Sequence, residues 1–271
     1  MFKNATVEQN LAQNGFAVIN ANLLAEVEEL QNYIAEHFQF TGNDFYYSLL
    51  ANTFEQNKVL QNSIRKILNS FYETQFTGCR TITESFLVKP ANTFDELLLH
   101  QDWNYTDERN FSAYNIWIPL TDVTEENGTL FFLKGSHLWF NNLRSATLPT
   151  ARISMNNFSS EQIETVIVKK GQALLFHPAV FHGSYPNHSL QNRIVVTATL
   201  LSKEAPFLYY QQSESPNEVN VFQLNDDTFL KDLKTIAVGG NPDAQEISRL
   251  KYSHQTITDT ELKEKLLAQS L

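Results

Sequence analysis

Leu23, Val27, Leu30, Ile34 and Phe38 recur at three- and four-residue spacing. That period puts them on one face of a helix and predicts an amphipathic helix over 22–38. Val59, Ser63, Ile64, Ile67, Leu68 and Phe71 repeat the pattern and predict a second helix over 56–74. Ahead of both, Phe16-Ala17-Val18-Ile19 follows Gly15 and reads as a short buried strand, so residues 1–76 are mostly helical with one early strand. Between the helices, Thr41 to Asn52 carries Phe45, Tyr46 and Tyr47 without a clear period and reads as a lid or a packed loop.

From Arg80 to Leu201 the pattern changes to short apolar runs divided by turn residues. The runs are Ile82 to Val88, Asp95 to Trp103, Tyr114 to Leu120, Thr129 to Leu133, Thr165 to Val168, Ala173 to Phe176 and Ile194 to Leu201. Lys89-Pro90, Glu126-Asn127-Gly128, Gly135-Ser136-His137 and Lys170-Gly171 supply turns, and 141–161 is a looser stretch. Short strands at such spacing fit a sandwich or a two-sheet jelly roll. The tail reads as helical again. Asp226 or Asp227 caps a helix with Phe229, Leu230, Leu233 and Ile236 on one face, stopped by Gly239-Gly240. Asn241-Pro242 looks like the start of another helix, and Thr258-x-x-Glu261 is a capping-box pattern before Leu262, Leu266 and Leu267. The expectation is one mainly β domain over 1–271, with a helical part at 1–76, a jelly-roll core at 80–201 and a helical part at 225–271.

Composition narrows the function. Hydrophobic residues make up 42% and charged residues 18%, enough apolar side chain for a sizeable core. Twenty phenylalanines and ten tyrosines favour a β-rich core or an aromatic-lined pocket. A net charge of −10 argues against a nucleic-acid partner. Cys79 is the single cysteine and cannot form an internal disulfide, which suits a reducing cytoplasm. Met1 to Gly15 has no apolar leader core, and no apolar run reaches the eighteen or so residues of a membrane span. These features predict a soluble cytoplasmic protein and leave its oligomeric state open.

The candidate chemistry centres on Leu99-His100-Gln101-Asp102-Trp103. On a strand, side chains i and i+2 share a face, so His100 and Asp102 project side by side. His182, in Phe181-His182-Gly183-Ser184, completes two histidines and one carboxylate, the set that leaves the opposite face of a non-haem Fe(II) open. Arg193 follows His182 by eleven residues and opens the last strong strand. A lone arginine on an apolar strand is costly to bury unpartnered, so a buried anion is its natural partner, held bidentately. Trp103, Tyr105 and Tyr114 flank the iron strand as candidate substrate contacts, and His177 stands at a strand end where it lines the pocket or caps a turn. His137 reads as a turn hydrogen-bonding residue, and the cations Arg109, Lys134, Arg144 and Arg152 are scattered around the candidate site.

With these residues in place, Phe86 to Leu201 resembles the phytanoyl-CoA dioxygenase family of Fe(II)- and 2-oxoglutarate-dependent oxygenases. The matching segments are His100-Gln101-Asp102, Asn127-Gly128-Thr129-Leu130, Lys134-Gly135-Ser136-His137 and His182-Gly183-Ser184. The resemblance implies a double-stranded β-helix, with Fe(II) held by His100, Asp102 and His182. It also implies 2-oxoglutarate and O2 as co-substrates. Arg193 then stands where the family binds the distal carboxylate of 2-oxoglutarate, Ser184 assists it, Trp117 lines that site, and Lys89 matches a lysine ahead of the iron ligands. The reaction implied is hydroxylation of a C–H bond with release of succinate and CO2. Asp102 favours it, since related halogenases lack the carboxylate. Lys89-Pro90-Ala91-Asn92 departs from the family's shorter glycine-containing link. Two other readings use the same ligands: a non-catalytic metal-binding jelly roll, and a cupin-type metalloenzyme without 2-oxoglutarate.

Overall fold

The computed structural model describes the chain except residues 41, 43, 152, 154–157, 159–161, 259, 263 and 266–271. The central strands are apolar on both faces because each face is covered. β1 (Phe16–Ile19), β8 (Ala173–Phe176), β5 (Ala113–Pro119), β10 (Arg193–Ser202), β3 (Cys79–Lys89) and β2 (Tyr46–Tyr47) lie side by side in that order as one antiparallel sheet. On β5 and β10 the residues Ile116, Ile118, Val196, Ala198 and Leu200 turn to one side. There they meet Val7 and Leu11 of helix α1 (Ala5–Asn14), Val27, Leu30 and Ile34 of α2 (Leu24–His37), and Leu60 and Ile64 of α4 (Phe54–Ile67). On the other side Trp117, Val195, Leu174 and Phe176 pack against Leu130, Phe132 and Val166 of a second sheet. That sheet runs β4 (Leu97–His100), β9 (His182–Ser184), β6 (Leu130–Leu133), β7 (Ile163–Val166). The two sheets form the jelly roll, and the site lies between them.

Several expectations are sharpened or overturned. The first helix and the early strand stand where the apolar period puts them. The second helix divides at Leu68, whose φ of −89° and ψ of 5° end α4 and lead into α5 (Asn69–Gln75). Thr53 caps α4 with a full capping box, its hydroxyl accepting from Gln56 N while Gln56 Oε1 accepts from Thr53 N. The aromatic stretch is the packed alternative. Tyr46 and Tyr47 pair with Val88 and Leu87 of the main sheet, α3 (Ser48–Ala51) follows directly, and the Tyr46 ring stacks 5.5 Å from Phe86.

The tail differs most from its expectation. β11 (Leu208–Gln212) and β12 (Glu218–Gln223) precede the expected helix, α6 (Asp226–Ala237), which Asn225 caps. The helix expected from Asn241-Pro242 is absent. The chain there leads into β13 (Gln245–Lys251), an edge strand that completes a three-stranded sheet β11-β12-β13. Pairing with Glu218–Gln223 satisfies that backbone and outweighs a helix-start signal in a segment with few apolar residues. The Thr258–Glu261 capping box forms, with reciprocal bonds of 2.8 and 3.2 Å, and Leu262 packs beside Trp139 and Phe181; Leu266 and Leu267 lie outside the described residues. Among the described residues no helix is long and apolar enough to cross a membrane.

Candidate metal centre

His100 ends β4 and His182 begins β9, and the two are direct partners across that antiparallel pair. Their ring centroids are 4.4 Å apart. Gly183 makes the approach possible, since a Cβ there would collide with Leu97 O and Phe131 Cζ. Asp102 does not share the strand with His100, because β4 stops at His100. Its backbone instead donates to Pro178 O at 2.9 Å, and the turn still sets the carboxylate beside both rings. Oδ1 is 3.5 Å from His100 Nε2 and Oδ2 is 3.6 Å from His182 Nε2. The three ligand atoms lie within 4.8 Å of one another.

The surroundings prepare these groups for a cation. His100 Nδ1 lies 2.8 Å from Leu98 O and His182 Nδ1 lies 3.0 Å from Val180 O. A carbonyl only accepts, so each Nδ1 carries the hydrogen, and in the neutral ring Nε2 turns a lone pair toward the centre. Burial opposes charge on all three groups. In His182 it prevails and pulls the imidazole down to about 4, which keeps the ring neutral. In His100 the contacts with Asp102 override burial and raise the imidazole. Burial pushes the Asp102 carboxyl up, but His182, His100 and Arg144 together bring it down to about 2, so it is ionised. His182 and Asp102 thus stand in the forms that bind a divalent metal, while His100, whose proton Asp102 favours, gives that proton up when a cation takes its place.

Two residues that the sequence reading left without a role hold Asp102. Asn115 Nδ2 donates to its Oδ2 at 2.7 Å. Arg144 Nε donates to its backbone oxygen at 2.7 Å, while the other end of the guanidinium binds both oxygens of Glu108 at 2.7 and 2.6 Å. Asn115 carries a legible signal only in hindsight: it stands two residues before Trp117, so both face inward.

Farther into the barrel lie two cations. Arg193 pairs with Lys89 across β10 and β3. Arg193 is 2% exposed; its guanidinium stands 5.4 Å over the Trp117 ring and donates from Nη1 to Gly128 O, in a turn whose φ of +86° requires glycine. Its Nε is buried with no hydrogen-bond partner among the described residues. Lys89 Nζ donates to Ser184 Oγ at 2.8 Å and to the Tyr185 carbonyl, both neutral oxygens. Burial, then the neighbouring Arg193, lowers the Lys89 ammonium to about 7, against weaker opposition from Asp95 and Glu96. Burial alone lowers Arg193 to about 10. An orphaned donor on a buried cation, beside a second cation, is a setting chemically suited to an anion.

The flanking residues go to different places. Trp103 lines a cavity of about 570 Å³ that opens beside His100, together with Leu98, Leu99, Arg144 and Ile153. Tyr105 is wedged between Phe207 and Phe229, at 5.6 and 5.5 Å between ring centroids, and belongs to the core under α6. Tyr114 is not at the site. It alternates with Asn115 on β5, so it turns outward to Phe2, 4.9 Å away. His177 is not there either: its Nδ1 accepts from Ala179 N at 3.0 Å, its ring meets Tyr114 and His137, and burial pulls it down to about 3. Of the scattered cations, Arg109 pairs with Asp107 and Lys134 with Glu164, while Arg152 lies outside the described residues.

Fold and site together define a jelly-roll protein with a two-histidine, one-carboxylate constellation between its sheets. The sequence pattern of the family described as Phytanoyl-CoA dioxygenase (PhyH) matches residues 11–195. The chain belongs to that family. It is 28% identical over 147 residues to phytanoyl-CoA dioxygenase domain-containing protein 1 of Danio rerio, covering 51% of this chain and 50% of that protein. The homolog from Dictyostelium discoideum is 25% identical over 146 residues, covering 49% and 52%. The chain thus spans about half the length of the curated relatives it matches. Among solved structures, EvdO2 from Micromonospora carbonacea var. aurantiaca shares the fold with a TM-score of 0.53 at 17% identity, over 73% of this chain and 91% of that one. A second structure of EvdO2, complexed with 2-oxoglutarate, gives 0.52 at the same identity and coverage.

Proposed function

We propose that the protein is an Fe(II)- and 2-oxoglutarate-dependent dioxygenase that hydroxylates a C–H bond of a small molecule, releasing succinate and CO2. The observation that carries this is the pairing of the His100–Asp102–His182 cluster with a buried, under-satisfied Arg193 in one barrel. β9 presents both ends of the site: His182 faces the cluster, and Ser184, two residues on, faces the cations. That step is about 7 Å along a strand, a distance that a five-carbon dicarboxylate bridges. Neither a bare metal scaffold nor a metalloenzyme without a co-acid has a use for Arg193. EvdO2, of like fold, has been seen with 2-oxoglutarate.

In this reading His100, Asp102 and His182 hold iron, and Arg193 grips the distal carboxylate of 2-oxoglutarate over Trp117. Ser184 and Lys89 flank that carboxylate. When bound, the iron and 2-oxoglutarate supply the oxidation of the C–H bond by O2. The protein's part is to fix both groups, keep bulk water from the buried cations, and present substrate from the cavity beside His100. The direct test is calorimetric titration of 2-oxoglutarate under anaerobic conditions, with and without metal. The expected result is binding that strengthens when metal is present; metal-loaded protein that takes up no 2-oxoglutarate sinks the proposal.

Lys89 adds a pH dependence. Its ammonium is already depressed to about 7, so at pH 8 the free protein holds it mostly neutral. A bound carboxylate favours the charged form, so binding takes up a proton. Affinity for 2-oxoglutarate should therefore fall as pH rises from 7 to 9, by at most about tenfold per unit. Titrations in buffers of different ionisation enthalpy count that proton, and Lys89→Met should abolish the uptake. An equal proton count in wild type and variant would remove Lys89 from the site.

A further inference from the structure

β3 contains a backbone conformation that its residue type disfavours. Thr83 has a φ of +60°, in the left-handed region, where β-branched residues are outliers. It lies where the ladder with β10 slips: Thr197 faces Ser85, but Thr199 faces Ile82, so β3 carries an extra residue in a bulge. The bulge turns Glu84 to the helix-covered face of β3, where it is buried 2.6 Å from Arg65, and turns the Thr83 hydroxyl toward the other face. There Thr83 Oγ1 donates to Thr199 Oγ1 at 3.1 Å, Thr199 Oγ1 donates to Asn115 Oδ1 at 3.0 Å, and Asn115 Nδ2 donates to Asp102 Oδ2 at 2.7 Å. Thr199 and Asn115 are direct partners across β10 and β5.

The direction of this chain is fixed from its end. An ionised carboxylate only accepts, so Asn115 must offer its amide nitrogen to Asp102 and its oxygen to Thr199. Thr199 must then spend its hydrogen on Asn115 and accept from Thr83. Three strands thus converge on one carboxylate oxygen, Oδ2, which also lies 3.6 Å from His182 Nε2, while Oδ1 lies 3.5 Å from His100 Nε2.

We propose that Thr83, Thr199 and Asn115 are positioning residues that fix the Asp102 carboxylate through Oδ2 and hold it to one-oxygen binding of a metal. The proposal rests on the reading of His100, Asp102 and His182 as a metal centre. An untethered carboxylate can bind a cation through one oxygen or both, and the second mode would occupy a position that the co-substrates require. Glycine or asparagine would take the Thr83 conformation with less strain but without this hydroxyl. The need for the hydroxyl explains why a strained residue stands there.

The test is a Co(II) titration of the full chain, reading the dissociation constant and the visible ligand-field spectrum, which reports coordination number and requires no turnover. Asn115→Ala, and the isosteric Thr199→Val, should weaken Co(II) binding by roughly 10- to 100-fold, the usual effect of losing a group that orients a ligand, and shift the spectrum toward a higher coordination number. Thr83→Gly keeps the bulge, relieves its strain and removes the hydroxyl; it should move the spectrum in the same direction. Thr83→Ser keeps the hydroxyl and should match wild type. If Thr199→Val and Thr83→Gly unfold cooperatively yet share the wild-type spectrum and affinity, the positioning role is overturned. A wild-type chain that binds no Co(II) overturns the metal-centre reading and this one with it.

Discussion

His182→Gln is expected to lower metal affinity by more than about 100-fold and to abolish 2-oxoglutarate turnover. Losing a group that merely orients a ligand already costs about 10- to 100-fold, and His182 is itself one of three ligand-bearing residues. Glutamine fills much of the same space between Phe132 and Phe176, whose ring centroids are 5.7 and 4.8 Å from the imidazole. The fold should therefore persist, as cooperative unfolding of the variant would show. A His182→Gln variant that binds metal like wild type would remove His182 from the centre.

Arg193→Met should have two opposite effects. Truncating one partner of a buried, hydrogen-bonded charge pair costs about 2 to 5 kcal/mol, so 2-oxoglutarate should bind roughly 30- to several-thousand-fold more weakly. Without ligand the same change should stabilise the fold. Arg193 is 2% exposed with its Nε unpartnered among the described residues, and a buried charge without a counter-ion carries a desolvation cost that an apolar side chain of similar length does not. The thermal midpoint of the ligand-free variant should thus rise, while the stabilisation that 2-oxoglutarate gives wild type, about 2.7 kcal/mol at 100 times its Kd, should vanish. A variant less stable than wild type with unchanged ligand response would mean that Arg193 is a structural cation.

Legibility in the sequence followed from how local each signal is. α2 and most of α4 were readable because one face meets the sheet and the other meets water, which writes the helical period into the residues. The grouping of His100, Asp102 and His182 was readable because their residue types and order match the family, although the shared strand face expected for the first two is absent, since β4 stops at His100. Asn115 was not: its role exists only once β5 lies against the Asp102 turn. Tyr114 was misplaced by one residue of strand parity. In the three-stranded sheet near the C-terminus, β13 was missed because it is exposed along most of its length, so no apolar alternation marks it. Its backbone pairing with β12 is a tertiary fact.

The central claim is that one barrel holds iron and 2-oxoglutarate together and makes them react. The most direct measurement is succinate formed from 2-oxoglutarate by the full chain with Fe(II), ascorbate and O2, beside His182→Gln as control. The account predicts succinate from wild type, dependent on Fe(II), and none above background from the variant. Wild-type protein that holds Fe(II) yet forms no succinate across a broad panel of small molecules, or succinate that survives His182→Gln, would contradict it.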